Sequence, residues 1–224
     1  MATATRSAPP PSIAHRVVND EPISREEYRK RERERETNER FEFIDGWVVA
    51  LHNVVSEHET AGMAGPTFEH NLIVSNVNGE LRERLRAGNC RAVAPAPRVS
   101  RPNGKTYLYP DALIVCGAPS IHGDHRDTIT NSRVIVEVLS PSTMDYDRGE
   151  KFARYRQLDA LQEYLLVAQD RPHVEHYVRQ DDASWRFTET DGLDAEIDLP
   201  SLDATLPLSE VYLDIAFETQ KADE

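Results

Sequence analysis

The chain of 224 residues is short of cysteine, of aromatic residues and of long apolar runs, and each shortage removes a class of protein. Two cysteines, Cys90 and Cys116, are too few and too isolated for a disulfide-stapled scaffold or a thiolate zinc site, so two reduced, buried thiols are expected. No run approaches the ~18 apolar residues of a membrane span, and no membrane partner is expected. Near the N-terminus stand Pro9, Pro10 and Pro11 but no basic and then apolar signal pattern, which makes cytoplasm the expected location. A Gly-rich phosphate loop, a dinucleotide fingerprint and a Gly-x-Ser-x-Gly elbow are missing, and His58-Glu59 has no second histidine at zincin spacing. Kinase, dehydrogenase, serine-hydrolase and zincin chemistries lose their support together.

Positive charge is also short, with 26 Lys+Arg against 39 Asp+Glu and a net charge of -13, which argues against a protein that coats nucleic acid through a uniform field. The deficit is uneven. Residues 181–224 hold 13 acids and 2 bases, whereas residues 81–105 hold seven bases, Arg82, Arg84, Arg86, Arg91, Arg98, Arg101 and Lys105, against Glu83 alone. That stretch is either a local nucleic-acid-binding face or a solvated helix end and loop.

What is present reads as one soluble domain with extensions: a leader over residues 1–22, a domain over 23–216 and an acidic tail over 217–224. Ser24 with Glu27 forms a capping box that opens a surface helix over residues 26–36. Phe41 to Ile44 and Trp47 to Leu51 flank Asp45-Gly46, a strong hairpin signal. Thr67 precedes Phe68, Leu72, Ile73, Val77, Leu81 and Leu85 at helical spacing, and Gly88-Asn89 stops the helix. Strands are predicted over 107–115, broken by Pro110-Asp111, and over 134–139, 163–168 and 173–178, with weaker ones over 185–188 and 195–199. Asp147 with Glu150 caps a second helix to about Leu158. The order predicts an α/β architecture with a mixed sheet flanked by helices.

Glu137 is the most informative residue, because Val134-Ile135-Val136-Glu137-Val138-Leu139 otherwise reads as a strand buried on both faces. Alternation sets it on one face with Ile135 and Leu139, where an uncompensated carboxylate would cost several kcal/mol. Asp111 poses the same question, directly after a proline that cannot donate to a sheet ladder. If the two strands are neighbours, both carboxylates can converge on Mg²⁺, which takes carboxylate oxygens and waters. The alternative is a pair of strand-end carboxylates that cap loops or bind arginines. Lys151, on the helix after Glu137, is a solvated lysine or a cation able to orient a water and stabilise a pentavalent phosphoryl transition state. Tyr155 lies one turn further on the same face. His70 falls on the apolar face of its helix with Ile73, Val74 and Val77, the usual setting of a core histidine. His122, Asp124, His125 and Asp127 lie in a loop with no defined ligand geometry and read as solvated turn residues.

Phe41-Glu42-Phe43-Ile44-Asp45-Gly46, the helix with His70, Tyr109-Pro110-Asp111, Val136 to Thr143, and Asp147 to Tyr155 together resemble the Uma-two endonuclease family of the PD-(D/E)XK nuclease superfamily. The likeness extends to Glu163-Tyr164 and Leu206-Pro207-Leu208. It implies a restriction-endonuclease-like core, with Asp111 and Glu137 as metal ligands, the Val138 backbone carbonyl as a further ligand, and Lys151 as the activating cation. Glu42 resembles an additional acid of the site, although Phe41 and Phe43 around it equally suit an ordinary polar strand face. The superfamily's lysine usually lies two residues after the acid, where this chain has Leu139; the resemblance moves that role to Lys151.

The expected function is a Mg²⁺-dependent endonuclease acting on phosphodiesters, in DNA first, with Mn²⁺ as a substitute and a homodimer suited to cutting both strands. The alternative is a catalytically silent nuclease fold that binds nucleic acid or protein.

Overall fold

The computed structural model describes residues 17–36, 40–50, 66–102, 104–122 and 127–217. His58, Glu59, Asp124, His125, most of the predicted leader and residues 218–224 of the predicted tail lie outside the described residues. In chain order the first elements are α1 (Arg25–Glu34), β1 (Phe41–Ile44), β2 (Trp47–Ala50), α2 (Phe68–Arg84), β3 (Cys90–Val93), β4 (Arg98–Val99), β5 (Thr106–Tyr107) and β6 (Ala112–Cys116). Then follow β7 (Thr128–Ile129), β8 (Ser132–Leu139), α3 (Met144–Tyr146), a π-helical turn (Asp147–Lys151), α4 (Phe152–Tyr155), β9 (Glu163–Ala168), β10 (His173–Arg179), β11 (Trp185–Asp191), β12 (Glu196–Leu199), β13 (Ala204–Pro207) and α5 (Leu208–Val211).

Six strands form the main sheet in the order β11-β10-β9-β8-β6-β3. Its neighbours are antiparallel except β8 and β9, which run parallel and are joined by the helix from Met144 to Tyr155. The observed architecture is therefore α/β with a mixed sheet flanked by helices. On β8, Val134, Val136 and Val138 face α2, where Ile73, Val77 and Leu81 are each at most 1% exposed and contribute roughly 1.5–3 kcal/mol apiece through burial. Ile135 and Leu139 face the other way, toward Phe152, Tyr155 and Tyr164 and toward Ile44 of the small sheet β2-β1-β5. Glu137 shares that second face, as alternation requires.

The hairpin of β1 and β2 turns on Asp45 and Gly46, with φ of 49° and 101°. A side chain at Gly46 would also meet the Pro22 Cβ at 2.8 Å, so glycine serves both the turn and the passing chain. Residues 17–22, read from the sequence as part of a leader, run beside β2: the Val18 N–H donates to the Val48 carbonyl at 2.9 Å and Asn19 Oδ1 accepts from the Val48 N–H at 2.7 Å. Nor is α1 a plain surface helix. Tyr28 is 1% exposed and stacks on Phe43 at 4.9 Å, under a helix whose other residues are mostly charged.

The two cysteines depart furthest from expectation. β3, which has no clear apolar alternation, pairs with β6 in a register that sets Cys90 opposite Cys116, and a disulfide joins them. Register between strands of separate hairpins is set by tertiary packing and cannot be counted from sequence spacing.

Candidate active site

The site forms where β1, β8 and the helix from Met144 to Tyr155 meet, closed on one side by the segment leading into β6. Alternation along β1 sends Phe41 and Phe43 toward α1 and leaves Glu42 pointing inward, 0% exposed. There Glu42 accepts from the Tyr109 backbone N–H at 3.2 Å and from the Tyr146 hydroxyl. Pro110 and Asp111 separate β5 from β6; they do not interrupt a single strand. The antiparallel pairing of Ala112 with Val136 continues to bring Asp111 beside the Glu137 end of β8, where Asp111 Oδ2 accepts from the Val138 N–H at 2.7 Å.

Lys151 is the centre of the charge cluster. Its Nζ lies 2.8 Å from Glu137 Oε1, 3.3 Å from Asp147 Oδ1 and 3.7 Å from Glu42 Oε1. Lys151 is 4% exposed and Glu137 2%, so neither is solvated. The π-helical turn widens the helix and sets Asp147 and Lys151 on its inner face. The Tyr155 hydroxyl donates to Glu137 Oε1 at 2.9 Å, and the Tyr164 hydroxyl donates to the Asp147 carbonyl at 3.0 Å. His70 also reaches the site. Thr67 caps α2 by accepting the His70 N–H at 3.1 Å, and the His70 ring places Nε2 3.2 Å from Asp111 Oδ2.

Burial pushes the Glu137 carboxyl well above the usual carboxylate range; Lys151 opposes that push, while Asp111 and Asp147 add to it. Burial likewise raises Glu42 against the pull of Lys151 and Tyr146. Burial pushes Asp111 upward as well, but the hydrogen bond and charge of His70, with Lys151 and the Val138 N–H, hold it below its usual value. For Lys151, burial favours loss of the proton and is outweighed by Glu137, Asp147, Glu42 and Asp111, which together raise it well above an ordinary lysine.

Among the described residues no three His, Cys, Asp or Glu side chains form a ready metal cage. The chemistry of the donor set nonetheless suits a hard cation. Among the described residues the hydrogen bonds and ion pairs of Asp111 fall on Oδ2 and those of Glu137 on Oε1, and the second oxygen of each carboxylate is not engaged by them. Two carboxylates completed by water are a usual Mg²⁺ shell.

The structure brings Asp111, Glu137, Lys151, Glu42, Tyr155 and His70 together, and His70 reaches Asp111 instead of only packing in the core. Sequence reasoning missed Asp147, Tyr146, Tyr109 and Tyr164. Asp147 has an ordinary explanation as a helix cap, and a tyrosine in an apolar segment carries no sign that its hydroxyl is used.

The basic stretch does not form one face. Arg98 is 3% exposed, bonded to Glu32, Asp127 and Thr128, so it is an internal cation and not a nucleic-acid contact. Arg82 and Arg84 lie twelve and fourteen residues beyond His70 on α2, roughly 18 and 21 Å along the axis. Arg84 pairs with Glu80 and Arg86 with Glu83, while Arg91 donates to the Gly88 and Cys90 carbonyls. Arg101 is nearer the site: it donates to Gln157 at 2.6 Å and shares a small cleft with Arg154 and Tyr155. The Lys105 carbonyl accepts from the Asp45 N–H at the tip of the β1–β2 hairpin.

Comparison with known proteins bears on the family and the fold. The family described as Uma2, putative restriction endonuclease, matches residues 25–209. Uncharacterized protein sll1609 of Synechocystis sp. is 30% identical over 167 residues, covering 75% of this chain and 88% of the relative. Uncharacterized protein slr1290 of the same organism is 30% identical over 198 residues, covering 87% and 94%. A solved structure of a putative nuclease belonging to DUF820 from Anabaena variabilis superposes with a TM-score of 0.65 at 18% identity, covering 85% of this chain and 98% of the other; at that identity it speaks for the fold.

Proposed function

We propose, from the premise that the chain belongs to the Uma2 family of putative restriction endonucleases, that it hydrolyses phosphodiester bonds in DNA with a divalent cation. The observation that carries this reading is Lys151, buried with its Nζ 2.8 Å from Glu137 Oε1, on the strand that Asp111 joins through the Val138 N–H. Asp111 and Glu137 are the residues to hold Mg²⁺, or Mn²⁺ in its place, with the Val138 carbonyl as a third donor and Glu42 as a further acid behind them. When bound, such an ion supplies Lewis acidity, which acidifies a water and offsets phosphate charge.

The chain's own groups do the rest. The Lys151 ammonium stands where negative charge accumulates on the phosphoryl group, and its three carboxylate neighbours keep it protonated and fixed. Tyr155 holds Glu137 Oε1, and His70 holds Asp111 Oδ2, so neither bond uses the second oxygen of its acid. Of the basic stretch, Arg101, bonded to Gln157 beside Tyr155, and the exposed Lys105 are the residues we assign to the nucleic-acid backbone near the cluster, with Arg82, Arg84 and Arg86 as more remote contacts.

Cleavage of supercoiled plasmid and of single-stranded DNA is expected with Mg²⁺ or Mn²⁺, to be lost with a chelator and restored by added metal. Glu137→Ala and Lys151→Ala, purified identically, are expected to abolish it. Wild-type protein that binds DNA without producing cleavage would transfer the assignment to a silent binding module.

A further inference from the structure

Tyr109 spans two neighbourhoods. Its backbone N–H donates to Glu42 Oε1 at 3.2 Å inside the site, while its hydroxyl donates to Glu32 Oε1 on α1 at 2.7 Å. Asp111 follows two residues later across Pro110, whose ring fixes its own φ and confines Tyr109 to extended backbone. A stiff dipeptide therefore carries the orientation of Tyr109 into Asp111.

Glu32 is itself held firmly. Arg98 donates from Nη1 to Oε2 of Glu32, and that arginine is anchored in turn by Asp127 at 2.7 Å and Thr128 at 2.8 Å. The Tyr28 hydroxyl lies 3.1 Å from Glu32 Oε1 and 2.6 Å from the Phe41 carbonyl, at the start of the strand that bears Glu42. Among the described residues the bonds of Glu32 go to Tyr28, Arg98 and Tyr109, none of them a candidate metal ligand. A ten-residue helix with one buried residue, Tyr28, has little stability alone. Tyr28 and Glu32 seat it against β1 and Tyr109, with Arg25 at His122 and Arg29 over the Tyr107 ring beside them.

We infer that Tyr109 is a positioning residue of the active site and that α1, through Glu32, is the latch that sets it. The consequence for cation binding rests on the function proposed above; the mechanical coupling does not.

Amide hydrogen exchange on the full chain without metal, paired with Mn²⁺ binding followed by electron paramagnetic resonance, tests the latch. Tyr109→Phe keeps the ring and the backbone N–H and removes the hydroxyl that bonds Glu32. It is expected to speed exchange at the Tyr109 and Val138 amides, leave protection across β9 and β10 unchanged, and weaken Mn²⁺ binding roughly tenfold. Glu32→Ala, which also strips the bonds to Arg98 and Tyr28, is expected to speed exchange at the same two amides at least as much, and adding Tyr109→Phe to it is expected to change those two amides no further, because their shared bond is already gone. Glu32→Gln keeps one acceptor oxygen for Tyr109 but turns an amide NH2 toward Arg98, and is expected to disturb the Tyr109 and Val138 amides less than Glu32→Ala does. Unchanged exchange at Tyr109 and Val138 in Tyr109→Phe overturns the latch. A wild-type protein that binds no Mn²⁺ defeats the metal reading, and the exchange result still decides the coupling.

Discussion

Lys151 sits among three carboxylates that water does not reach, so removing it injures the protein twice. Lys151→Ala leaves Glu137, Asp147 and Glu42 without their cation and is expected to lower urea stability by about 3–5 kcal/mol, as well as to end cleavage. Glu137→Ala leaves Lys151 two carboxylates and is expected to cost clearly less stability for the same loss of cleavage; equal losses would contradict the assignment of Lys151 as the hub. Tyr155→Phe removes one buried hydrogen bond to Glu137 and is expected to cost about 1 kcal/mol in the same assay. These residues differed in how plainly they could be read. A glutamate in an apolar strand is an anomaly that demands compensation, and Lys151 follows once a compensating group is sought. Asp147 and the tyrosines violate no local rule, so only the fold reveals them.

Helix α2 shows how an element brings a side chain to the candidate site without being built around it. Its apolar stripe is legible as periodicity, and so is its cap at Thr67, but that cap also fixes the first turn from which His70 meets Asp111. Thr67→Ala is expected to lower thermal and urea stability by about 1 kcal/mol, and to broaden the His70 ring resonances; an unchanged midpoint would show that the cap does no more than decorate the helix. The long strands were readable because β-branched runs and turn residues bound them. β4, β5 and β7 have two residues each and exist only through their partners, and β3 depends on the register that also joins Cys90 to Cys116. Arg98 was misread for a related reason: composition marks a base, but only tertiary packing tells a buried cation from an exposed one.

At the scale of the whole molecule, a net charge of -13 and dispersed arginines predict a weak non-specific hold on DNA. Fluorescence anisotropy with duplex DNA is expected to give a shallow dependence of log affinity on log salt, a slope of roughly -2 to -3 if two or three phosphates are neutralised. A slope as steep as that of a many-phosphate binder would restore the single basic face that the structure disperses. The site itself joins pieces of very different reach along the chain. Glu137, Asp147, Lys151, Tyr155 and Tyr164 lie within one strand–helix–strand unit, whereas Glu42 meets Tyr146 across 104 positions and Tyr109 meets Glu32 across 77. Loop closure of that length is slow compared with local pairing. Refolding is therefore expected to pass through a species in which the β8–β9 crossover has formed and Glu137 already pairs with Lys151, while the Glu42 and Tyr109 contacts are still open. In pulse-labelling, amides of β8 and β9 would gain protection before those of β1, and the last event of folding would be the one that completes the catalytic pocket.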